Sequence, residues 1–256
     1  MMNSSPMISQ DSILSSASKT SDPSNTSLAS KLLARGGVVL SQRKYTLDIL
    51  SDSGLTDSRP SGFPIEQHHK LALSETPYAD PEPYRRLIGR LLYLTVTRPD
   101  IQYEVNFLCQ FVGNPKQEHV IAAHRVLLYL KRSLGQGLFF PTTNPLSLRA
   151  YCDADCGGGC LLTSTTGYII CLGGAAVSWR TKKQQVVARS SAEAEYRAMA
   201  TTISEIIWLR TLLRDLGVPV PDPTRLYCDN QAALHIANNP VFHERTKHVE
   251  MDYHFV

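Results

Sequence analysis

Three carboxylates define the chemistry to be considered. Asp153 is predicted to close a strand, Glu195 to lie in the first turn of a long helix, and Asp229 to close the strand after that helix. In a sheet crossed by helices, strand C-termini and helix N-termini converge on one edge. Carboxylates gathered there repel one another, and a divalent cation removes the repulsion. Hard oxygen donors suit magnesium. Two such ions activate a water and stabilise the leaving oxygen of a phosphodiester. A plainer reading uses the same residues: Asp is common in turns after strands, and acids favour helix N-termini because of the helix dipole. Spacing alone leaves both readings open.

Further choices sit inside this cluster. Asp153 and Asp155 share one face of a strand, so spacing does not separate them. Glu193 and Glu195 are two apart on a helix and point in different directions. Glu195 heads the stripe that continues through Met199 and Ile203, which turns it towards the sheet, and Glu193 stands as the alternative. The stretch holding Arg180, Lys182, Lys183 and Arg189 contains no acid. It reads either as a set of phosphate contacts or as a solvated turn. Asn230 suits a sugar hydroxyl, the group that marks RNA, and equally suits a helix cap. Cys152, Cys156 and Cys160 recur at regular intervals without a fourth ligand, so zinc is not expected. His243, His248 and His254 are spread along a loop and helix, where surface or capping roles are expected.

The elements that must position these groups follow from periodicity. Residues 146–153, 167–173 and 175–179 read as strands, with Gly173-Gly174 as the turn between the last two. A helix is predicted over 191–216 with the stripe Met199, Ile203, Ile206, Ile207 and Leu213. A strand over 225–229 and a helix over 231–238 follow. This β-β-β-α-β-α order predicts an α/β fold with a mixed sheet and a helix crossover.

Upstream, residues 37–40 read as a short strand, with Ser41 capping a helix through Tyr45, Leu47, Ile49 and Leu50. Residues 53–82 read as an irregular connector. One helix starts near Pro83 with Leu87, Ile88, Leu91 and Leu92 as its stripe, and Pro99 ends it or starts the next turn. Another starts near Pro115 with Val120, Ala123, Leu127 and Leu130, and ends at Gly135. The chain therefore divides into a Ser-rich tail expected to be disordered (1–34), a mostly helical connection region (35–145) and a mixed-sheet domain (146–256).

Composition sets the outer bounds. The 256 residues give room for one or two domains, and 43% hydrophobic with 19% charged residues suits a globular protein. A net charge of +3 and a pI near 8.5 are too mild to establish a polyanionic partner by themselves. No apolar run reaches the ~18 residues of a membrane span, and the polar start does not look like a signal peptide. A cytosolic or nuclear setting is the default expectation, with the six cysteines reduced.

Tyr151-Cys152-Asp153-Ala154-Asp155 resembles the first strand motif of the ribonuclease H domain of copia-type retrotransposon Pol polyproteins. Ser164-Thr165-Thr166-Gly167-Tyr168 and Ser178-Trp179 are similar to its next two strands. Lys182-Lys183-Gln184 and Ser190-Ser191-Ala192-Glu193-Ala194-Glu195-Tyr196 resemble its basic turn and catalytic helix. Tyr227-Cys228-Asp229-Asn230 resembles the strand with the third carboxylate. Asn239-Pro240-Val241-Phe242-His243 and Arg245-Thr246-Lys247-His248 extend the pattern, which covers 146–256. Upstream, Leu40-Ser41-Gln42-Arg43-Lys44-Tyr45, Tyr84-Arg85-Arg86-Leu87-Ile88-Gly89 and Thr97-Arg98-Pro99-Asp100-Ile101 look like the last reverse-transcriptase segments of the same family.

The resemblance implies a ribonuclease H-like fold that cleaves the RNA strand of RNA–DNA hybrids. It implies two magnesium ions, replaceable by manganese, on Asp153, Glu195 and Asp229. It favours Asp153 over Asp155 as the ligand. It places Lys182, Lys183, Arg189, Asn230 and His248 on the nucleic-acid side, and implies other polyprotein domains as partners. The polymerase Asp-Asp motif of the family lies further upstream and is absent, so polymerase activity is not expected. The family's fourth aspartate starts a later helix, beyond a further strand, so Asp252 is not expected to replace it. On that pattern the domain is expected to be incomplete at Val256, and a chain that binds nucleic acid without cleaving it is the alternative. Cys156 stands where the family usually has Trp, and the segment 157–160 is altered.

Overall fold

A computed structural model describes residues 30–34, 36–66, 71–155 and 163–238. Cys156, Cys160, His243, His248, Asp252 and His254 lie outside the described residues.

The upstream region is built on four helices. Strands β1 (Ser30–Ala34) and β2 (Gly37–Ser41) form an antiparallel hairpin, turning at Gly36 with φ of 81°. β1 thus falls within the segment expected to be a disordered tail. Helix α1 (Arg43–Asp52) begins after Gln42, which occupies the capping position without a side-chain bond. Ser41 is buried at the end of β2 and is not the cap. Helix α2 (Pro81–Leu94) has stronger start signals: Asp80 accepts a bond from the Glu82 N–H at 3.1 Å, and Pro81 occupies the first turn. Its buried stripe is Tyr84, Leu87, Ile88, Leu91 and Leu94. Leu92 was expected there but is 41% exposed, because one residue past Leu91 is about 100° around the helix.

Pro99 opens a 3₁₀ turn, Pro99–Ile101, which runs into α3 (Gln102–Cys109), a short helix that periodicity did not predict. Helix α4 (Gln117–Arg132) buries Val120, Ala123, Leu127 and Leu130 as expected. Strand β3 (Leu138–Pro141), also unforeseen, then pairs antiparallel with β2.

The second region is the α/β unit. Strands β4 (Leu148–Asp155), β5 (Thr165–Leu172) and β6 (Ala175–Lys183) form an antiparallel meander. Gly173 turns the β5–β6 hairpin at φ of 58°, where L side chains are strained. Helix α5 (Ser191–Asp215) crosses over the sheet to β7 (Arg225–Tyr227), which lies parallel to β4 and gives the order β6-β5-β4-β7. Helix α6 (Gln231–Asn238) packs back on α5. β4 alternates cleanly: Leu148, Ala150, Cys152 and Ala154 are buried, while Arg149, Tyr151, Asp153 and Asp155 face outward. The inner stripe of α5 runs through Glu195, Met199, Thr202, Ile206 and Leu209. Ile207, predicted on that stripe, is 53% exposed.

The two regions meet along β6. The Trp179 indole N–H donates to the Thr95 carbonyl at 3.0 Å, and the Asn106 amide donates to the Thr181 carbonyl.

Candidate functional site

The β4–β7 pairing creates the site by ending early. It joins Arg149–Tyr151 to Arg225–Tyr227 and goes no further. Beyond it the Ala154 N–H has no strand partner on that side, and Glu195 Oε1 accepts it at 3.1 Å. A buried helix carboxylate therefore occupies the gap between two diverging strands. The neighbouring thiols serve the same gap. Cys152 donates to the Tyr227 carbonyl at 3.7 Å, and Cys228 donates to Glu195 Oε2 at 3.7 Å.

Ligand atoms of Glu195, Cys228 and Asp229 all lie within 4.8 Å of one another. Asp153 falls outside that mutually close set, but it acts on Glu195 through its charge and a side-chain hydrogen bond. Glu195 is thus the pivot between the other two acids. Burial pushes its carboxyl up to about 7; the Ala154 N–H opposes this, while Asp153 and then Asp229 raise it further. Burial also pushes the Cys152 thiol up to about 12, and raises that of Cys228. Both sulfurs therefore stay protonated and neutral near pH 7, so the donors available to a hard cation are carboxylate oxygens. Glu195 and Asp229, with Asp153 beside Glu195, offer the hard oxygen donors that a divalent ion of the magnesium type takes.

Glu193 has a different job. Ser190 caps α5 by accepting from the Glu193 N–H at 3.2 Å. The Glu193 carboxylate accepts from the Arg189 backbone N–H at 2.7 Å and from Arg197 at 2.6 Å. This is a near relative of the capping box, and it holds Glu193 at the helix start. The spacing Ser190-x-x-Glu193 was available in the sequence as the signal for that role. Asp155 shares the outer face of β4 with Asp153 and accepts from the Tyr103 hydroxyl at 3.2 Å.

The sequence-predicted contact residues separate in space. Lys182 and Lys183 line a cleft of about 450 Å³ together with Arg180. Arg189 is not among the residues lining it; its backbone N–H serves the start of α5. Asn230 caps α6 by accepting from the Ala233 N–H at 3.0 Å. His248 lies outside the described residues. Sequence reasoning missed Tyr103, because α3 carried no periodic signal, and missed the placement of Cys228 against Glu195, although the motif Tyr227-Cys228-Asp229 put it next to an acid.

These features define an α/β domain with an acidic centre, docked on a helical region. The chain is 46% identical over 222 residues to the Retrovirus-related Pol polyprotein from transposon RE1 of Arabidopsis thaliana, a match covering 86% of this chain and 15% of that protein. It is 37% identical over 226 residues to the corresponding polyprotein from transposon TNT 1-94 of Nicotiana tabacum, covering 85% of this chain and 17% of that protein. It is also 41% identical over 174 residues to the Uncharacterized mitochondrial protein AtMg00810 of Arabidopsis thaliana, covering 67% of this chain and 72% of that protein. No family model matches, and no solved structure matches. The chain belongs to the copia-type retrotransposon Pol polyprotein family, and it spans about 15% of the length of the first polyproteins it matches. Among the described residues no helix is long and apolar enough to cross a membrane.

Proposed function

We propose that residues 146–256 form a ribonuclease H-like domain that hydrolyses the RNA strand of RNA–DNA hybrids, within a retrotransposon polyprotein. The observation that carries this reading is the crowding of Asp153 and Asp229 on the buried Glu195, whose carboxyl is raised to about 7. Asp153, Glu195 and Asp229 would hold two magnesium ions, or manganese in their place. When bound, such ions supply an activated water and charge stabilisation for the leaving oxygen.

The chain's own residues do the positioning. The Ala154 N–H fixes one Glu195 oxygen, and the Cys228 thiol holds the other. Asp153 flanks that centre from β4, and Asp229 from two residues beyond the end of β7 rather than from the strand itself, because the pairing with β4 stops at Tyr227. Arg180, Lys182 and Lys183 supply positive charge for the phosphate backbone. The upstream residues 35–145 serve as the end of a reverse transcriptase, joining the nuclease to polymerase segments in the longer polyprotein.

The test is cleavage of a labelled RNA–DNA hybrid by the full chain, with and without magnesium. RNA-strand cleavage that needs magnesium and is lost in Asp153→Asn, Glu195→Gln and Asp229→Asn is the expected result. Salt-sensitive hybrid binding with no magnesium-dependent cleavage would replace this reading with that of a chain that only binds nucleic acid.

A further inference from the structure

Helix α3 of the upstream region presents two faces. Ile101, at its start, and Val105 and Leu108 are buried in the upstream core. The other face carries Gln102, Tyr103, Asn106, Phe107 and Gln110, and it looks across the cleft of about 450 Å³ at Arg180, Lys182 and Lys183. A second cleft, of about 500 Å³, is lined by Asp153, Asp155, Gly167 and Ser191. Tyr103, Thr165 and Thr181 line both clefts, so the two adjoin and Tyr103 stands between them.

The charges along this path are unevenly used. Upstream, Arg90, Arg98 and Arg125 each pair with an acid. Among the described residues Arg180, Lys182 and Lys183 have no acidic partner. Facing them are amides and aromatic rings rather than carboxylates, with Tyr103 and Phe107 stacked at 6.4 Å between centroids. Cations on one wall with amides and the exposed Tyr103 ring on the other are a composition that takes a phosphodiester backbone with its sugars and bases. Two contacts fix the geometry of the walls: Asn106 donates to the Thr181 carbonyl, and Tyr103 donates to Asp155 at 3.2 Å.

We propose that α3 forms one wall of the nucleic-acid groove that leads to the carboxylates, so that the substrate strand is held between an upstream helix and strand β6. The inference rests on the ribonuclease reading for what happens at the end of the groove, but not for the groove itself. In this arrangement Arg180, Lys182 and Lys183 meet phosphates, Gln102 and Gln110 meet sugar or base edges, and the Tyr103 ring packs against the strand beside the scissile phosphate. The upstream region is then part of the nuclease's binding surface as well as a linker to the polymerase segments.

The test uses the full chain and one labelled RNA–DNA hybrid, with equilibrium binding measured in calcium and cleavage measured in magnesium. Three single variants separate the walls: Gln110→Glu, which sets a negative charge opposite the cations at an exposed position; Tyr103→Ala, which removes the ring; and Lys182→Ala on the facing strand. Gln110→Glu is expected to weaken hybrid binding about tenfold and raise KM with kcat nearly unchanged. Lys182→Ala is expected to weaken binding about fivefold with a shallower salt dependence, and Tyr103→Ala to weaken it about fivefold with the salt dependence kept. If the parent cleaves the hybrid while Gln110→Glu matches it in binding and KM, the α3 wall is wrong and the ribonuclease reading survives. If the parent never cleaves yet its hybrid binding still falls in Gln110→Glu, the groove stands and the ribonuclease reading fails. Circular dichroism melts of all three variants check that each is folded; a Gln110→Glu chain that binds normally and melts normally overturns the proposal.

Discussion

The helical region and the sheet region solve opposite problems. The upstream core is filled by large side chains with essentially no exposure, among them Leu91, Leu94, Ile101, Leu108, Leu127 and Leu130. Two of its buried polar groups are closely matched, although Glu104, Glu118 and Arg125 each leave one buried polar atom without a partner. The Arg98 guanidinium, 3% exposed, meets both oxygens of Asp100 at 2.9 and 2.7 Å and the Ser133 carbonyl at 3.0 Å. The Tyr84 hydroxyl donates to the Leu108 carbonyl at 2.8 Å.

The core of the sheet region is lined with small residues, including Ala150, Ala154, Ala194 and Ala198. These let α5 approach β4 closely enough for a helix side chain to accept from a strand N–H. There the acids are crowded rather than matched. One region gains stability from volume; the other accepts repulsion in exchange for a placed group of carboxylates, the usual arrangement where a site must bind a charge it does not itself carry.

Several substitutions sharpen that contrast. The largest expected effect is on chemistry: Asp153→Asn, Glu195→Gln or Asp229→Asn should each lower magnesium-dependent hybrid cleavage by roughly a thousandfold or more while each variant still melts cooperatively. A variant retaining cleavage near the parent's rate removes that residue from the centre. Next is Leu91→Ala, which opens a void in the upstream core and should cost about 3 kcal/mol in urea unfolding. A cost under about 1 kcal/mol would mean the helices repack freely, and would undo the contrast between the cores.

The third effect concerns pH. Burial holds the folded Glu195 carboxyl up at about 7, well above the ordinary carboxylate range. A raised carboxyl contributes fully to stability below its unfolded value and loses that contribution as pH rises through the folded one. In metal-free buffer, stability should therefore fall between about pH 4.5 and 7, by about 2 kcal/mol once solvent screening is allowed for, and Glu195→Gln should flatten the fall. The smallest effect is that of Ser190→Ala, about 1 kcal/mol from loss of the α5 cap, with hybrid cleavage reduced less than by any carboxylate change.

How far the sequence reached follows the same division. The alternation in β4, the Gly173 turn and the long run of α5 were legible, because each has a strong period or a backbone demand. The α/β character and the three acids followed from them. Helix α3 was not legible: it is short, has no side-chain cap, and depends on the packing of Val105 and Leu108 into a core made by other helices. β1 and β3 were missed because their pairing is with each other's neighbour β2, far along the chain in the case of β3. At the site, helical direction separated Glu195 from Glu193, but spacing could not separate Asp153 from Asp155, since both face the same way on β4. The contact between the two regions along β6 rests on side-chain bonds from Trp179 and Asn106, for which no local pattern exists.

If Asp153, Glu195 and Asp229 form one site for a divalent cation, magnesium binding depends on each of them. Calorimetric titration of magnesium into the full chain at pH 8, beside Asp153→Asn and Glu195→Gln, measures that dependence. Saturable binding that raises the melting temperature of the parent is expected, with both variants losing the heat and the shift. Equal magnesium binding by all three chains would contradict the single site.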